Sequence, residues 1–154
     1  MDRKYPASWK SYLFQALCTV LAMAIVLLAF TMQQATIVTS LAATIFIVFI
    51  APTSPAAQPR KVIGGHSLGL LCGSLMSLVP HTHPATRIVV YAVAVGLAAL
   101  LMALLNMEHP PGAGTALALA VNGLTVDIVL AVLIGVVVLA LIHRLLRRWL
   151  EDLV

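Results

Sequence analysis

The chain has 154 residues, a length that suits one domain, and 62% of them are hydrophobic while only 9% are charged. A soluble domain is about half apolar and a quarter charged, so this composition, with its mean hydropathy of +1.07, excludes an ordinary water-soluble fold and predicts an all-α integral membrane protein. The net charge of +4 does not indicate a nucleic-acid partner, because the basic residues lie at the chain ends and in one short connection.

Six apolar segments follow one another along the chain, and a helix that crosses a membrane needs about 20 mostly apolar residues. The first contains only Gln15 and Thr19 as polar interruptions, and no cleavage site follows it, so we expect a retained span and not a signal peptide. The fifth is apolar but too short to cross alone. The segments are 13–30, 35–51, 62–79, 88–105, 113–121 and 128–146.

The basic residues indicate how segment five is placed. If it crosses, one side of the membrane holds eight basic residues and the other holds only Arg87. This bias predicts a multi-pass protein of the cell's inner membrane with both termini in the cytoplasm. If segment five dipped in and returned, the C-terminal arginines would lie outside. We therefore predict five full spans and one short interrupted helix. The eight residues are Arg3, Lys4, Lys10, Arg60, Lys61, Arg144, Arg147 and Arg148.

Six segments with a short fifth suggest two halves of three segments, residues 13–79 and 88–142. Three segments per half would invert the second half relative to the first, and inverted repeats with interrupted helices are a common plan among transporters. The halves share little sequence beyond small and hydroxyl residues, as QATIVTSLAAT (34–44) and HPPGAGTALAL (109–119) show.

The stretch NMEHPPGAGTAL, at 106–117, places polar and helix-breaking residues between apolar runs. Pro110 and Pro111 suit the first turn of a helix, and Gly112 and Gly114 allow backbone or ligand to approach closely. A helix N-terminus carries partial positive charge, and irregular backbone at membrane depth is tolerated where it is buried in protein or lines a cavity. The stretch therefore predicts a binding site for a small anion.

Several roles are open to the side chains of this stretch. Thr115 and the backbone amides would donate hydrogen bonds to the anion, and His109 would donate one or carry a proton. Glu108 would repel an anion, so we expect it to pair with His109, Arg60 or Lys61, or to serve in proton coupling. The alternative is that His-Pro-Pro only turns a loop and caps a helix. The candidate binding residues here are Asn106, Glu108, His109, Pro110, Pro111, Gly112, Gly114 and Thr115.

A second polar stretch, APTSPAAQPRKVIGGH at 51–66, contributes two more candidates. Arg60, with Lys61, either anchors the chain at the membrane surface or reaches inward to hold an anion with its planar guanidinium. His66 lies inside an apolar run and is either a hydrogen-bonded packing histidine or a pore-lining one.

Small residues recur at steps of four in segment three, at Gly65, Gly69, Gly73 and Ser77. They share one helix face, where another backbone can approach closely. That face would pack either inside the chain or against another subunit. We expect a homo-oligomer, a dimer or a trimer, since six short helices leave little room for a cavity within one subunit.

Neither a metal site nor a cofactor is expected. His81 and His83 lie in one loop without a cysteine or third ligand nearby, and Cys18 and Cys72 lie in separate apolar runs as inert packing residues. No phosphate loop, nucleophile elbow or metalloprotease helix is present. We expect no enzyme, since an intramembrane enzyme built on Glu108, His109 and His66 would lack a nucleophile or metal set.

The stretches SPAAQPRKVIGGH (54–66) and EHPPGAGTALAL (108–119) resemble the two signature regions of the HPP family of integral membrane proteins, named for its His-Pro-Pro motif. The resemblance covers nearly the whole chain. It departs at QQATIVTS (33–40), where the family usually has a Pro-Phe-Gly-Ala-Ser-like stretch. The family is usually described with about four spans, fewer than the six segments predicted here. Members in photosynthetic organisms are associated with nitrite transport, so the resemblance implies a small-anion transporter.

The first hypothesis is therefore a transporter or channel for nitrite or a similar small monovalent anion, bound at the N-terminus of the short helix after His-Pro-Pro. Glu108 or His66 would couple a proton to this movement. The alternative is a non-transporting membrane sensor or assembly module.

Overall fold

The computed structural model describes residues 8–29 and 35–154, and within these ranges the chain forms helices and no strand. All six predicted segments contain a helix. A short 3-10 turn, Pro55–Ala57, follows the second one. Phe30, at the end of segment one, and Arg3, Lys4, Gln33 and Gln34 lie outside the described residues. The helices are α1 (Trp9–Ala29), α2 (Ala35–Ile50), α3 (Pro59–Ser77), α4 (Pro84–Leu104), α5 (Pro110–Asn122) and α6 (Val126–Leu146).

Prolines explain why three helices begin before their apolar runs. Pro59, Pro84 and Pro110 each stand at the first helical position, where a missing N–H breaks no hydrogen bond. In the loop before α4, His83 Nδ1 accepts the backbone N–H of Ala85 at 3.2 Å. This histidine therefore caps a helix.

Among the helices of residues 8–29 and 35–154, three are long and apolar enough to cross a membrane, judged by length and composition: α1, α4 and α6. Helix α2 is apolar but has 16 residues, and α5 has 13, which gives it a length of about 20 Å. The prediction of an all-helical membrane protein is confirmed, and segment five is short. The six crossings and the inverted repeat remain predictions.

Helices α2 and α5 run antiparallel. Asn122 Nδ2 donates to Thr36 Oγ1 at 3.0 Å near one end, and His109 Nε2 lies 3.1 Å from Thr44 Oγ1 nearer the other. The end with His109 also holds the 51–58 connection and the last turn of α6. We call it the basic end, because it carries Lys10, Arg60, Lys61, Arg144, Arg147 and Arg148.

Helices α3 and α5 pack with their backbones in contact along the glycine face of α3. A Cβ atom added at Gly69 would overlap the carbonyl oxygen of Gly112, and one added at Gly73 would lie 2.6 Å from Cβ of Leu119. Glycine is needed wherever backbones approach this closely. The small-residue face is thus filled inside the chain, so a contact between subunits would use another surface.

The C-terminal tail folds back under α1 and α2 at the basic end. Gln15 is fully buried in α1; its Nε2 donates to the carbonyls of Phe49 and Glu151, and its Oε1 accepts the N–H of Glu151 at 3.1 Å. Leu153 N donates to Ile50 O at 2.9 Å. Gln15, one of the two polar residues in segment one, therefore holds α1, the end of α2 and the C-terminal tail together.

Gln15→Leu should destabilise the chain by about 1–3 kcal/mol, because it leaves the buried Phe49 carbonyl and the part-buried carbonyl and N–H of Glu151 without their partner. The tail should also become more susceptible to carboxypeptidase. Thermal unfolding in detergent and timed digestion would measure both effects. Gln58→Leu is the control, since the Gln58 side chain is exposed and makes no capping hydrogen bond. Equal behaviour of the two variants would contradict this role for Gln15.

Candidate functional site

Three helices bring five hydrogen-bonding side chains into one buried cluster, which we call the polar network. Helix α2 provides Ser40 and Thr44, α3 provides His66, α5 provides Thr115, and His109 is the N-cap residue of α5. Each of these residues is at most 5% exposed. In lipid such a buried polar cluster is expensive unless it is internally bonded, and it is typically functional.

The polar network forms a linear chain of contacts between two backbone carbonyls. Ser40 Oγ donates to the Pro111 carbonyl and also lies 2.9 Å from Thr115 Oγ1. Thr115 Oγ1 is 2.8 Å from His66 Nδ1. Thr44 Oγ1 then joins the two imidazoles, at 2.7 Å from His66 Nε2 and 3.1 Å from His109 Nε2.

The chain ends where His109 Nδ1 meets the carbonyl oxygen of Ala56 at 2.8 Å. A carbonyl only accepts, so this Nδ1 carries a hydrogen. A neutral His109 then offers only a lone pair at Nε2, toward Thr44. The ring centroids of His66 and His109 lie 5.1 Å apart.

The neutral polar network has one hydrogen fewer than its hydrogen-bond contacts require. Its five side chains carry five N–H or O–H hydrogens, one each, whereas six contacts join them to one another and to the two carbonyls. A further contact, from Thr44 Oγ1 to the Ser40 carbonyl at 3.2 Å, increases the shortage. One proton added to either imidazole supplies a hydrogen for each of the six contacts.

The first turn of α5 is packed and largely bonded. Pro110 and Pro111 have no N–H, and the Gly112 N–H donates to the His109 carbonyl at 2.8 Å. A Cβ at Gly112 would overlap the Gly65 carbonyl, and one at Gly114 would lie 3.3 Å from Cβ of Ser40. The first three residues of α5 therefore offer no free N–H to an anion, and the glycines serve close packing against α3 and α2.

Glu108 pairs with Lys61, one of the partners considered for it. Lys61 Nζ lies 2.6 Å from Glu108 Oε2, and this is the one salt bridge within residues 8–29 and 35–154. The hydrogen-bonded Lys61 ammonium lowers the pKa of Glu108, so the carboxylate is charged at neutral pH. Arg60, next to this pair, is exposed.

Asn106 lies apart from the polar network, in the turn that ends α4. It has a positive φ of 54°, and the N–H of the next residue, Met107, donates to the Met102 carbonyl at 2.8 Å. This is the conformation in which Asn often closes a helix. Its predicted contact with an anion remains a prediction.

Ser40 and Thr44 belong to the site although only His66, His109 and Thr115 of the polar network were selected from the sequence. The available signal was their spacing, because residues four apart share one helix face. Among the described residues, no group of three or more His, Cys, Asp or Glu side chains has a metal-binding arrangement.

A groove between α2 and α5 borders the polar network and has a volume of about 680 Å³. Ser40 belongs to both the network and the groove wall. Thr36 and Thr39 line the groove from α2, and Pro110, Pro111 and Gly114 line it from α5. Hydroxyl groups at the start of α2 thus face the helix that follows His-Pro-Pro.

Comparison with known proteins gives a family and two relatives. A family model described as "HPP, transmembrane region" matches residues 4–152. A transmembrane protein of Dictyostelium discoideum is 41% identical over 85 residues, which is 55% of this chain and 30% of that protein. A second transmembrane protein of the same organism is 40% identical over 79 residues, 51% of this chain and 25% of that protein.

These matches therefore span less than a third of each Dictyostelium protein. No solved structure matches the chain.

Proposed function

The chain belongs to the HPP transmembrane family, and we propose that it transports a small monovalent anion, with nitrite as the first candidate, together with a proton. We place it in the cell's inner membrane as a homo-oligomer, with its basic end and both termini toward the cytoplasm. The observation that carries the proposal is the missing hydrogen of the polar network.

A proton entering the polar network completes its hydrogen bonds but leaves a positive charge among apolar helices. Such a buried charge is unfavourable unless an opposite charge lies nearby. Helices α2 and α5 carry no charged residue, and Glu108, the carboxylate next to His109 in the chain, is already paired with Lys61. An anion in the adjoining groove would offset the charge, so proton and anion would each favour binding of the other.

The groove would place the anion beside the Ser40 hydroxyl and the positive end of α5. Ser40, bonded to Pro111, lies at the wall, and Thr115 and then His66 are the next groups of the network inward. The first three residues of α5 offer no free N–H, and all six hydrogens of the protonated network are engaged. A direct contact would therefore require the Ser40 hydroxyl to turn from the Pro111 carbonyl to the anion. We propose that exposed Arg60 and the Lys61–Glu108 pair lie at the entrance, with Asn106 beside it.

A second candidate is a non-transporting assembly module. It is favoured by the observation that all five side chains of the polar network bond to one another or to backbone and are nearly inaccessible. Together with the backbone contact between α3 and α5, the network would then act as a structural clamp. Transport measurements distinguish the two.

His109→Ala should lower nitrite uptake into proteoliposomes at least tenfold, because it removes the imidazole that receives the proton and contacts Thr44. Uptake by the unaltered protein should rise with an inward proton gradient. His81→Ala is the matched control, since His81 is a loop histidine at the end opposite the basic end, where it is bonded to the Val79 carbonyl.

If the protein takes up none of the four anions nitrite, formate, nitrate and chloride, the result would support the assembly module. Uptake that is equal in the two histidine variants would remove His109 from the mechanism.

A further inference from the structure

A second polar cavity, of about 380 Å³, lies at the basic end between the 52–59 connection and the end of α6. It shares no residue with the polar network or with the groove between α2 and α5. None of its residues is among the binding residues predicted from the sequence. It is lined by Pro52, Thr53, Ser54, Gln58, Pro59, His143, Arg144 and Arg147.

His143 is the buried group of this cavity, with 2% of its surface exposed. Its Nε2 lies 3.1 Å from the carbonyl oxygen of Pro52, so Nε2 carries the hydrogen of a neutral imidazole. Its Nδ1 is buried and has no hydrogen-bond partner among the described residues. A buried lone pair of this kind is unfavourable without a donor, and His143 lines the cavity, so a bound hydroxyl or N–H group would supply the missing hydrogen bond.

The charges around the cavity favour an anion. Arg144 and Arg147 line it, and neither has a carboxylate within 4 Å among the described residues. The first residue of α3, Pro59, also lines it, so the positive end of that helix faces the same space. The nearby carboxylate of Asp152 is held by the N–H of Thr53 at 3.0 Å and by the Thr53 hydroxyl.

We infer that this cavity binds an oxyanion that carries a hydroxyl group, such as inorganic phosphate or a monoanionic phosphate monoester. The charged oxygens accept hydrogen bonds from the two guanidinium groups, whose planar donors match this geometry. The hydroxyl donates to Nδ1 of His143. The site is independent of the proposed transport, because it shares no residue with that path.

The test compares phosphate with sulfate, which has the same shape but no hydroxyl at neutral pH. Purified protein in an uncharged detergent is heated with either salt at equal ionic strength. Phosphate at about a hundredfold its Kd should raise the unfolding midpoint by about 5 °C, and sulfate should raise it much less. Equal shifts with the two salts would overturn the inference.

Three variants assign the effect to the cavity. Arg147→Gln should abolish both shifts, because it removes a guanidinium. His143→Gln keeps a donor for the Pro52 carbonyl but has no counterpart of Nδ1, so phosphate should lose its advantage over sulfate. Arg87→Gln is a matched change at the end opposite the basic end, and its unfolding midpoint should shift with phosphate and sulfate as that of the unaltered protein does. A phosphate shift that survives Arg147→Gln would refute the site.

Phosphatidic acid in mixed micelles distinguishes the two sources of a phosphate group. A shift with inorganic phosphate supports a free anion as the ligand. If phosphatidic acid shifts the midpoint, inorganic phosphate does not, and the shift is lost in Arg147→Gln, the ligand is a lipid headgroup at the same site. No shift with either ligand would refute the inference.

Discussion

Gly69→Ala is expected to destabilise the chain by about 3 kcal/mol or more, the largest loss we expect from adding one methyl group. The new Cβ would overlap the Gly112 carbonyl oxygen and approach its carbonyl carbon to 3.0 Å and Cβ of Thr115 to 3.2 Å. Backbone cannot move aside as a flexible side chain does. Helices α3 and α5 would have to separate, and His66 on α3 would move away from Thr115 on α5.

Gly96→Ala provides a matched control for this prediction. Gly96 is also inside a helix, α4, but a Cβ there meets nothing within 4 Å. Alanine favours a helix over glycine by up to about 1 kcal/mol, so this variant should be neutral or slightly more stable. Thermal unfolding of both variants in detergent is the measurement. Similar midpoints would show that α3 and α5 do not pack with their backbones in contact.

The helices could be predicted from composition, because apolar runs of this length in lipid leave few alternatives to a helix. The packing partner of each helix could not be predicted in this way. The steps of four from Gly65 to Ser77 showed a close-packing face but did not indicate whether α5 or another subunit would fill it. That choice depends on tertiary packing, which brings the carbonyls of Gly112 and Ala116 against the glycines.

The site was predicted in parts and not as a unit. His66, His109 and Thr115 stood out as polar residues in apolar surroundings. The antiparallel register of α2 against α5 places Thr44 between the two imidazoles and Ser40 beside Thr115. The Ala56 carbonyl could not be anticipated, since any backbone carbonyl is a possible acceptor.

Gln15 and His143 also stand out in the sequence as polar residues in apolar surroundings. Each is a polar residue within an apolar helix, and each bonds a distant backbone carbonyl at the basic end. The roles of Gln15 and His143 could not be predicted from the sequence, because their partners are far away along the chain.

Thr44→Val is expected to lower nitrite uptake roughly tenfold to a hundredfold and to abolish its response to a proton gradient. Within the polar network, Thr44 is the residue that hydrogen-bonds both imidazoles. A hydrogen bond to a charged group contributes about 1.5–3 kcal/mol, which corresponds to that range of rates. This prediction depends on the proposed function.

The loss of proton coupling follows from the hydrogen count. Without the Thr44 hydroxyl the network separates into two parts. Ser40, Thr115 and His66 make three contacts with three hydrogens, and His109 makes one contact with one. Neither part is short of a hydrogen, so a proton no longer completes the hydrogen bonds. Valine matches threonine in shape, so the packing around it should be kept.

Thr19→Val is the matched control. Among the described residues, the Thr19 hydroxyl bonds only the Gln15 carbonyl, four residues earlier, at 2.8 Å. Thr44 makes the same kind of bond to the Ser40 carbonyl in addition to its contacts with the two histidines. Thr44→Ser should restore both uptake and gradient dependence, since it restores the hydroxyl. If Thr44→Val slows uptake but leaves its gradient dependence intact, Thr44 only supports the structure and the proton enters elsewhere. If uptake and gradient dependence are both unchanged, the polar network does not take part in transport, and the assembly module becomes the better account of why five polar side chains are buried there.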